Sequence, residues 1–167
     1  MSKNVAYTFL SSVTPKVKGQ VYCTSVLRTL LYAAECWSLT EHLLNKIRSF
    51  HHRCVRSMCR VNRHHTRIHR ITTVELLKRL SISSIDTYIC RQQLRWAGHV
   101  IRMPWTRLPR KMISCWVRSK RPRGAPRYTY GRSLFKALKK AGIDVEQWHV
   151  LAGDKVKWRN IIRNLNI

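Results

Sequence analysis

The chain has 167 residues, 44% of them apolar, which is enough to fill a core and excludes disorder throughout its length. Its 33 lysines and arginines against 7 aspartates and glutamates give a formal net charge of +26. A charge of this size excludes a self-neutralising surface and indicates a polyanionic partner.

Acidic residues are missing from two long stretches of the chain. Residues 42–74 contain eight lysines and arginines, residues 87–143 contain fifteen, and neither stretch contains an Asp or Glu. Arginine is the more frequent cation, and its planar fork suits phosphates and stacks on bases. We therefore expect nucleic acid as the partner, with an anionic membrane surface as the alternative polyanion.

Changes in composition divide the chain into four segments. They are an N-terminal arm or truncation scar at 1–20, a helical region at 21–103, a basic connector at 104–132 and a C-terminal helical segment at 133–167. Apolar residues recur every three to four positions and no run alternates with period two. The predicted fold is therefore all-α, an irregular helical bundle with a basic Pro/Arg-rich connector, and its apolar runs are too interrupted to cross a membrane.

The helical region is expected to begin with a helix over 21–37 and a second helix capped by Thr40. The second helix should bury an apolar face formed by Leu43, Ile47, Phe50, Cys54 and Met58. Another face of the same helix should present a ridge of arginines for phosphate binding: Arg53, Arg56, Arg60 and Arg63.

Thr72 and Glu75 have the spacing of a capping box and predict a short helix over 74–80. The next helix is expected to run to Met103, because Pro104 disfavours helical geometry in the residue before it. This longer helix ends with the stretch LRWAGHVIRM.

The stretch LRWAGHVIRM, residues 94–103, places a glycine inside a helix with two apolar sides. Such a helix is expected to be packed between other elements, so that only a narrow strip of its surface is exposed to solvent. This strip carries Arg91, Arg95 and Arg102 beside Gly98. Glycine there would let a neighbouring backbone or a phosphate approach closely, at a cost of about 1 kcal/mol relative to alanine. We therefore expect these three arginines to bind phosphate.

The connector interleaves basic residues with aromatic ones, a pattern that suits phosphates and unstacked bases together. Its candidate binding residues are Arg107, Arg110, Lys111, Lys120, Arg121, Arg123 and Arg127. After it, a helix is expected to end at Gly142 in a left-handed cap, and Asp154 is expected to open the last helix.

The sequence offers little for catalysis or metal binding. The seven acidic residues are scattered, and no glycine-rich nucleotide loop occurs. Four residues of zinc-binding types follow at five-residue intervals, but five-residue steps on a helix diverge by about 140°, so buried thiols and phosphate-facing histidines are the favoured alternative. These metal candidates are Cys54, Cys59, His64 and His69.

The six cysteines are expected to be reduced, buried thiols of an intracellular protein in the nucleus or cytoplasm. They form no compact disulfide framework, and the chain is too long to need one. No small-molecule substrate is indicated.

Six short blocks follow one another along the chain, and both their order and their spacing carry a resemblance to a known family. The blocks are LLYAAECW at 30–37, FHHRCVRSM at 50–58, VELLKR at 74–79, LRWAGHVIRM with RLP at 94–109, RGAPR at 123–127 and DKVKWR at 154–159. The series resembles the region after the polymerase core in the endonuclease-reverse transcriptase proteins of non-LTR (LINE-type) retrotransposons. The resemblance covers most of the chain.

The resemblance implies a thumb-like helical region at 21–103, followed by a helical linker that helps to grip template RNA and target DNA. In that family an upstream palm domain, absent here, performs RNA-directed DNA synthesis with a divalent metal. The chain itself is therefore expected to carry no catalytic residue and no cofactor, and to have nucleic acid and the rest of the parent polymerase as partners.

The chain departs from the family pattern at three positions. Ala33 stands where the family usually has glycine, and Trp105 with Thr106 replaces a commonly acidic position. The resemblance thus predicts a nucleic-acid-binding fragment of a reverse transcriptase. Two alternatives stay open: a decayed transposon reading frame without activity, and a small zinc-dependent nucleic-acid-binding protein.

Overall fold

A computed structural model describes residues 13–118, 124 and 129–165, with the backbone alone at 114–118. Every regular element in the described part is helical, which confirms the all-α prediction. The α-helices are α1 (Pro15–Val21), α2 (Arg28–Leu30), α3 (Glu41–Met58), α4 (Arg63–Ile68), α5 (Thr73–Leu80), α6 (Ile85–Ile101), α7 (Leu108–Arg118), α8 (Tyr130–Lys140), α9 (Trp148–Gly153) and α10 (Lys155–Arg163).

The first helix begins earlier and ends earlier than the sequence suggested. Helix α1 starts at Pro15, inside the predicted arm, because proline is well accommodated at the first position of a helix. A π-helical segment, Tyr22–Leu27, joins α1 to α2. The chain then leaves the helix at Ala33, which has a φ of 57°.

Helix α3 is shorter than predicted, and this breaks the expected ridge of arginines. Arg60 adopts a left-handed conformation with a φ of 55°, and the amide of Val61 donates to the carbonyl of Arg56 at 3.0 Å. These features end the helix, so Arg63 lies at the start of α4 instead. The prediction of one continuous helical face from Arg53 to Arg63 is therefore wrong.

The buried face of α3 also differs from the predicted one. Leu43 and Phe50 are exposed, whereas His51 and Val55 are fully buried. His51 tolerates burial because its Nδ1 forms a hydrogen bond of 2.9 Å with the hydroxyl of Tyr22. The predicted apolar face did not include His51.

The predicted connector contains a helix. Helix α7 accepts Pro109 in its first turn, where the missing amide proton costs no hydrogen bond, and buries Ile113 in an apolar core. The interpretation of 104–132 as an extended connector is therefore wrong for this part. Four of the predicted binding residues lie outside the described residues: Lys120, Arg121, Arg123 and Arg127.

The chain forms two compact units, whose boundaries cross the predicted segments. The first comprises Met1–Tyr32 and Lys46–Ser84, and its core consists of Val55, Leu76, Leu77 and Leu80. In this unit the capping box of Thr72 and Glu75 is formed as predicted.

The second unit comprises Ala33–Asn45 and Ile85–Ile167. Helix α6 is its central element and contacts α7, α8, α9 and α10. The predicted left-handed cap at Gly142 is confirmed, with a φ of 66°, and Asp154 caps α10 by accepting from the amides of Val156 and Lys157. Through the described residues, no helix is long and apolar enough to cross a membrane.

Ala33 is expected to cost stability, because an L-residue in the left-handed region is strained while glycine is not. Replacing Ala33→Gly should raise the free energy of unfolding of the second unit by about 0.5–1 kcal/mol. All six tryptophans belong to this unit, so urea unfolding followed by tryptophan fluorescence measures it selectively.

Ala141→Gly is the matched control for that substitution. Ala141 also follows a helix in the second unit, but its φ is −81°. Glycine there gains no relief of strain and should lower the unfolding free energy by a similar amount. Equal effects of the two substitutions would contradict the assignment of strain to Ala33.

Candidate nucleic-acid interface

Helix α6 is packed on two sides, as predicted. Its buried residues lie on faces that both contact other elements: Ile85, Thr87, Ile89, Cys90, Gln93, Leu94, Ala97, Gly98, Val100 and Ile101. The exposed strip between these faces includes Arg95 and, just beyond the helix, Arg102, while Arg91 is half-buried. The arginine strip inferred from LRWAGHVIRM is therefore present.

Gly98 admits a side chain from another helix to the backbone of α6. The indole of Trp158, on α10, lies where a Cβ of residue 98 would stand, so any larger residue there would overlap the ring. The Trp158 Nε1 donates to the carbonyl of Leu94 at 2.9 Å. The close approach at Gly98 is thus made by an indole, and the predicted approach of a backbone or phosphate at this point is wrong.

A groove of about 460 Å³ lies between α6 and α10. Six cations line it, together with Trp158 and Ile162: Arg91, Arg95, Arg102, Lys155, Arg159 and Arg163. No aspartate or glutamate belongs to this lining. Because α6 and the residue that follows it contribute three of the cations and α10 the other three, docking of the two helices at Gly98 creates the site.

Two of the groove arginines are held by carbonyl oxygens at helix ends. The Nη2 of Arg91 donates to the carbonyl of Leu165 at 2.6 Å, after the end of α10. The Nη1 of Arg102 donates to the carbonyl of Ala152 at 2.6 Å, in the last turn of α9. These bonds fix the guanidinium groups and satisfy carbonyls that lack an intrahelical partner, so the two arginines stabilise the fold as well as lining the groove.

Three of the six acidic residues of this unit are engaged away from the groove. Glu41 pairs with Lys136 at 3.0 Å, and Asp86 pairs with Lys140 at 3.4 Å. Asp154 is committed to capping α10, and the amides it accepts from, that of Lys157 foremost, lower the pKa of its carboxyl. None of these three carboxylates belongs to the groove lining.

The loop after α6 carries a further group of predicted residues. Arg107 and Lys111 are exposed, and the guanidinium of Arg110 lies 5.4 Å from the ring centroid of Trp105. The ring of Trp105 is exposed. Aromatic and cationic side chains are thus adjacent here, as the composition of this segment predicted.

The arginines of α3 and α4 lie in the first unit. Arg53, Arg60 and Arg63 are exposed and Arg56 is half-buried. Arg53 and Arg56 lie in α3, Arg60 follows the end of that helix, and Arg63 is the first residue of α4. Their role in binding stays a prediction.

The candidate zinc residues do not form a site. Cys54, Cys59, His64 and His69 belong to no group of three or more metal-ligating side chains within the described ranges. Burial raises the pKa of Cys59, whose thiol lies 4.0 Å from the carbonyl of Leu76. Zinc binding needs a thiolate, so the higher pKa disfavours it.

The expectation that the cysteines are buried holds for Cys90 but not for the other described cysteines. Burial raises the pKa of Cys90 to about 11, so this thiol stays protonated at neutral pH. Cys23, Cys54 and Cys59 are half-buried and Cys36 is exposed, all four as free thiols.

Sequence reasoning missed the half of the groove that α10 contributes. Lys155, Arg159 and Arg163 recur every four residues, which places them on one face of a helix. That spacing was visible in the sequence. The sequence did not show that these residues would lie beside the arginines of α6, because that arrangement depends on contacts between residues more than 60 positions apart.

Replacing Gly98→Ala should destabilise the second unit by about 1–3 kcal/mol, because the new methyl group overlaps the indole of Trp158. Urea unfolding followed by tryptophan fluorescence measures the change. Gly153→Ala is the control, since a Cβ at Gly153 meets no atom within 4 Å. If both variants unfold at the same urea concentration, Gly98 is not a point of close packing.

Comparison of the chain with known protein families finds no match, and neither curated proteins nor solved structures show a significant similarity to it.

Proposed function

We propose that the chain binds nucleic acid through the groove between α6 and α10. The observation that supports this most is the gathering of six cations around one concave surface whose lining includes no acidic residue. Phosphodiester groups are the polyanion that such a surface fits, because arginine donates in a planar fork to phosphate oxygens.

The dimensions of the groove suit several phosphates in a row. From Arg91 to Arg102 the backbone rises about 16 Å, at 1.5 Å per helical residue. Phosphates of one strand in a duplex are spaced by about 3.4 Å along the axis, so neighbouring arginines can meet different phosphates. Trp158, the aromatic residue of the lining, is buried and presents no face for base stacking.

This architecture predicts binding without sequence preference. Contacts to phosphates fix position but carry no sequence information directly. The proposed contacts of the groove cations are to phosphates, an element that all nucleic acids share, and the indole in the lining is buried.

The resemblance of the sequence to reverse transcriptases of non-LTR retrotransposons supports the same proposal. In those proteins the region after the polymerase core helps to grip template RNA and target DNA. We accordingly assign a gripping role to this chain, with RNA, DNA or their hybrid as the ligand and no catalytic step among the described residues.

A competition assay compares the candidate ligands. A labelled RNA bound to the whole chain is displaced by unlabelled RNA, duplex DNA or RNA–DNA hybrid of equal length, at one fixed salt concentration. Dissociation constants in the micromolar range or tighter near 0.1 M salt support the proposal. Absence of binding to all three would refute it.

The groove itself is tested by the double variant Arg95→Ala/Arg159→Ala. Neither side chain has a hydrogen bond or ion pair with the described part of the chain, so the fold should be retained. Binding should weaken, and the slope of log K against log salt should become shallower by about 1.4 for a single strand, as two phosphate contacts are lost.

Lys157→Ala is the matched control, because Lys157 is an exposed cation of α10 outside the groove lining. Its salt slope should stay close to that of the unmodified chain. A double variant that retains the original slope would show that the groove does not contact phosphate.

A further inference from the structure

Trp105 is exposed at a fixed position beside the groove. It lies in a turn between α6 and α7, closed by a 3.0 Å hydrogen bond from the amide of Arg107 to the carbonyl of Pro104. The helices on both sides are anchored in the core of the second unit by Ile101 and Ile113. The turn therefore holds the indole outward on a rigid support.

Trp105 differs in exposure from the other tryptophans whose side chains are described. It is 60% exposed, whereas Trp148 and Trp158 are buried, and Trp37 and Trp96 are half-buried. Isolated exposed apolar residues are common on proteins, so exposure alone assigns no role. The surroundings of the ring give the second observation.

One cation contacts this indole, and two more lie close to it in the sequence. The guanidinium of Arg110 lies over the ring, 5.4 Å from its centroid, a contact that orients the ring. Arg107 and Lys111 are exposed on either side of Arg110 along the chain. An exposed indole with one cation over its ring and two others nearby in the sequence has the composition of a site that stacks on a base while neighbouring charges meet its phosphates.

The indole is also within reach of a strand bound in the groove. Arg102 lines the groove and precedes Trp105 by three residues, so their Cα atoms lie within about 11 Å of each other. A strand whose phosphates contact Arg102 can therefore place a base of a neighbouring nucleotide on Trp105.

We propose that Trp105 stacks on an unpaired base, and that the ligand of the groove is consequently single-stranded at this point. This inference rests on the proposed function, because the phosphates of the same strand occupy the groove. A base in the interior of an intact duplex is stacked on both faces and offers no free face to the indole, so the interior of a duplex gains only the phosphate contacts.

The test compares two ligands that share phosphates and differ in bases. One is a twelve-nucleotide oligothymidylate, and the other is the same strand with every base replaced by hydrogen. The whole chain should bind the first ligand about 5- to 150-fold more tightly, because stacking on an aromatic residue contributes about 1–3 kcal/mol per base. The abasic strand retains the salt-dependent phosphate term.

Variants then assign the difference to one residue. Trp105→Leu should reduce the preference for bases to about twofold or less, while Trp105→Phe should keep part of it. Tyr32→Leu is the control, because Tyr32 is another exposed aromatic residue, 80% exposed, and its replacement should leave the preference unchanged. Arg95→Ala should weaken binding of both strands equally.

The outcomes separate the two proposals. If neither strand binds the unmodified chain, the proposed function fails. If both strands bind with equal affinity, or if Trp105→Leu keeps the full preference for bases while remaining folded by circular dichroism, nucleic-acid binding stands and the role of Trp105 is overturned. If Trp105→Leu does not fold, Trp105→Phe carries the test, and an unchanged preference for bases in that variant overturns the role of Trp105.

Discussion

The second unit depends on the contact between the Trp158 indole and the backbone of α6. Its Nε1 donates to the Leu94 carbonyl, and the ring occupies the space that a side chain at Gly98 would take. A buried tryptophan contributes a large apolar area, and its N–H needs a partner when it is removed from water. The contact at Gly98 buries the indole and gives its N–H a hydrogen-bond partner. The packing of α10 on α6 at this point also brings the cations of the two helices to the two sides of one groove.

Under the proposed function, the groove arginines have a structural role and a binding role. Arg91 and Arg102 each donate to a carbonyl at a helix end, yet a guanidinium has five N–H donors, so further donors remain for phosphate oxygens. Side chains already held in place lose less rotamer entropy when a ligand binds. Arg95 and Arg159 are exposed and less restrained, so they are the residues through which binding can be altered without disturbing the fold.

Local signals in the sequence predicted the all-α class, the capping box at Thr72, the left-handed cap at Gly142 and the arginine strip of α6. Each of these depends on residues within a few positions of one another. The end of α3 was missed because Arg60 takes a left-handed conformation that usually favours glycine. The burial of His51 and the pairing of α6 with α10 were missed because both depend on partners distant in the chain.

The crowding of positive charge in the groove has a thermodynamic consequence. Six cations that are spread along the unfolded chain come together only when α6 and α10 dock, so folding of the second unit works against their mutual repulsion. A polyanion that recognises the docked arrangement offsets this repulsion and binds the folded state more tightly than the unfolded one. Ligand binding and folding are then linked equilibria, and the unit becomes more stable as the concentration of its ligand rises above the dissociation constant.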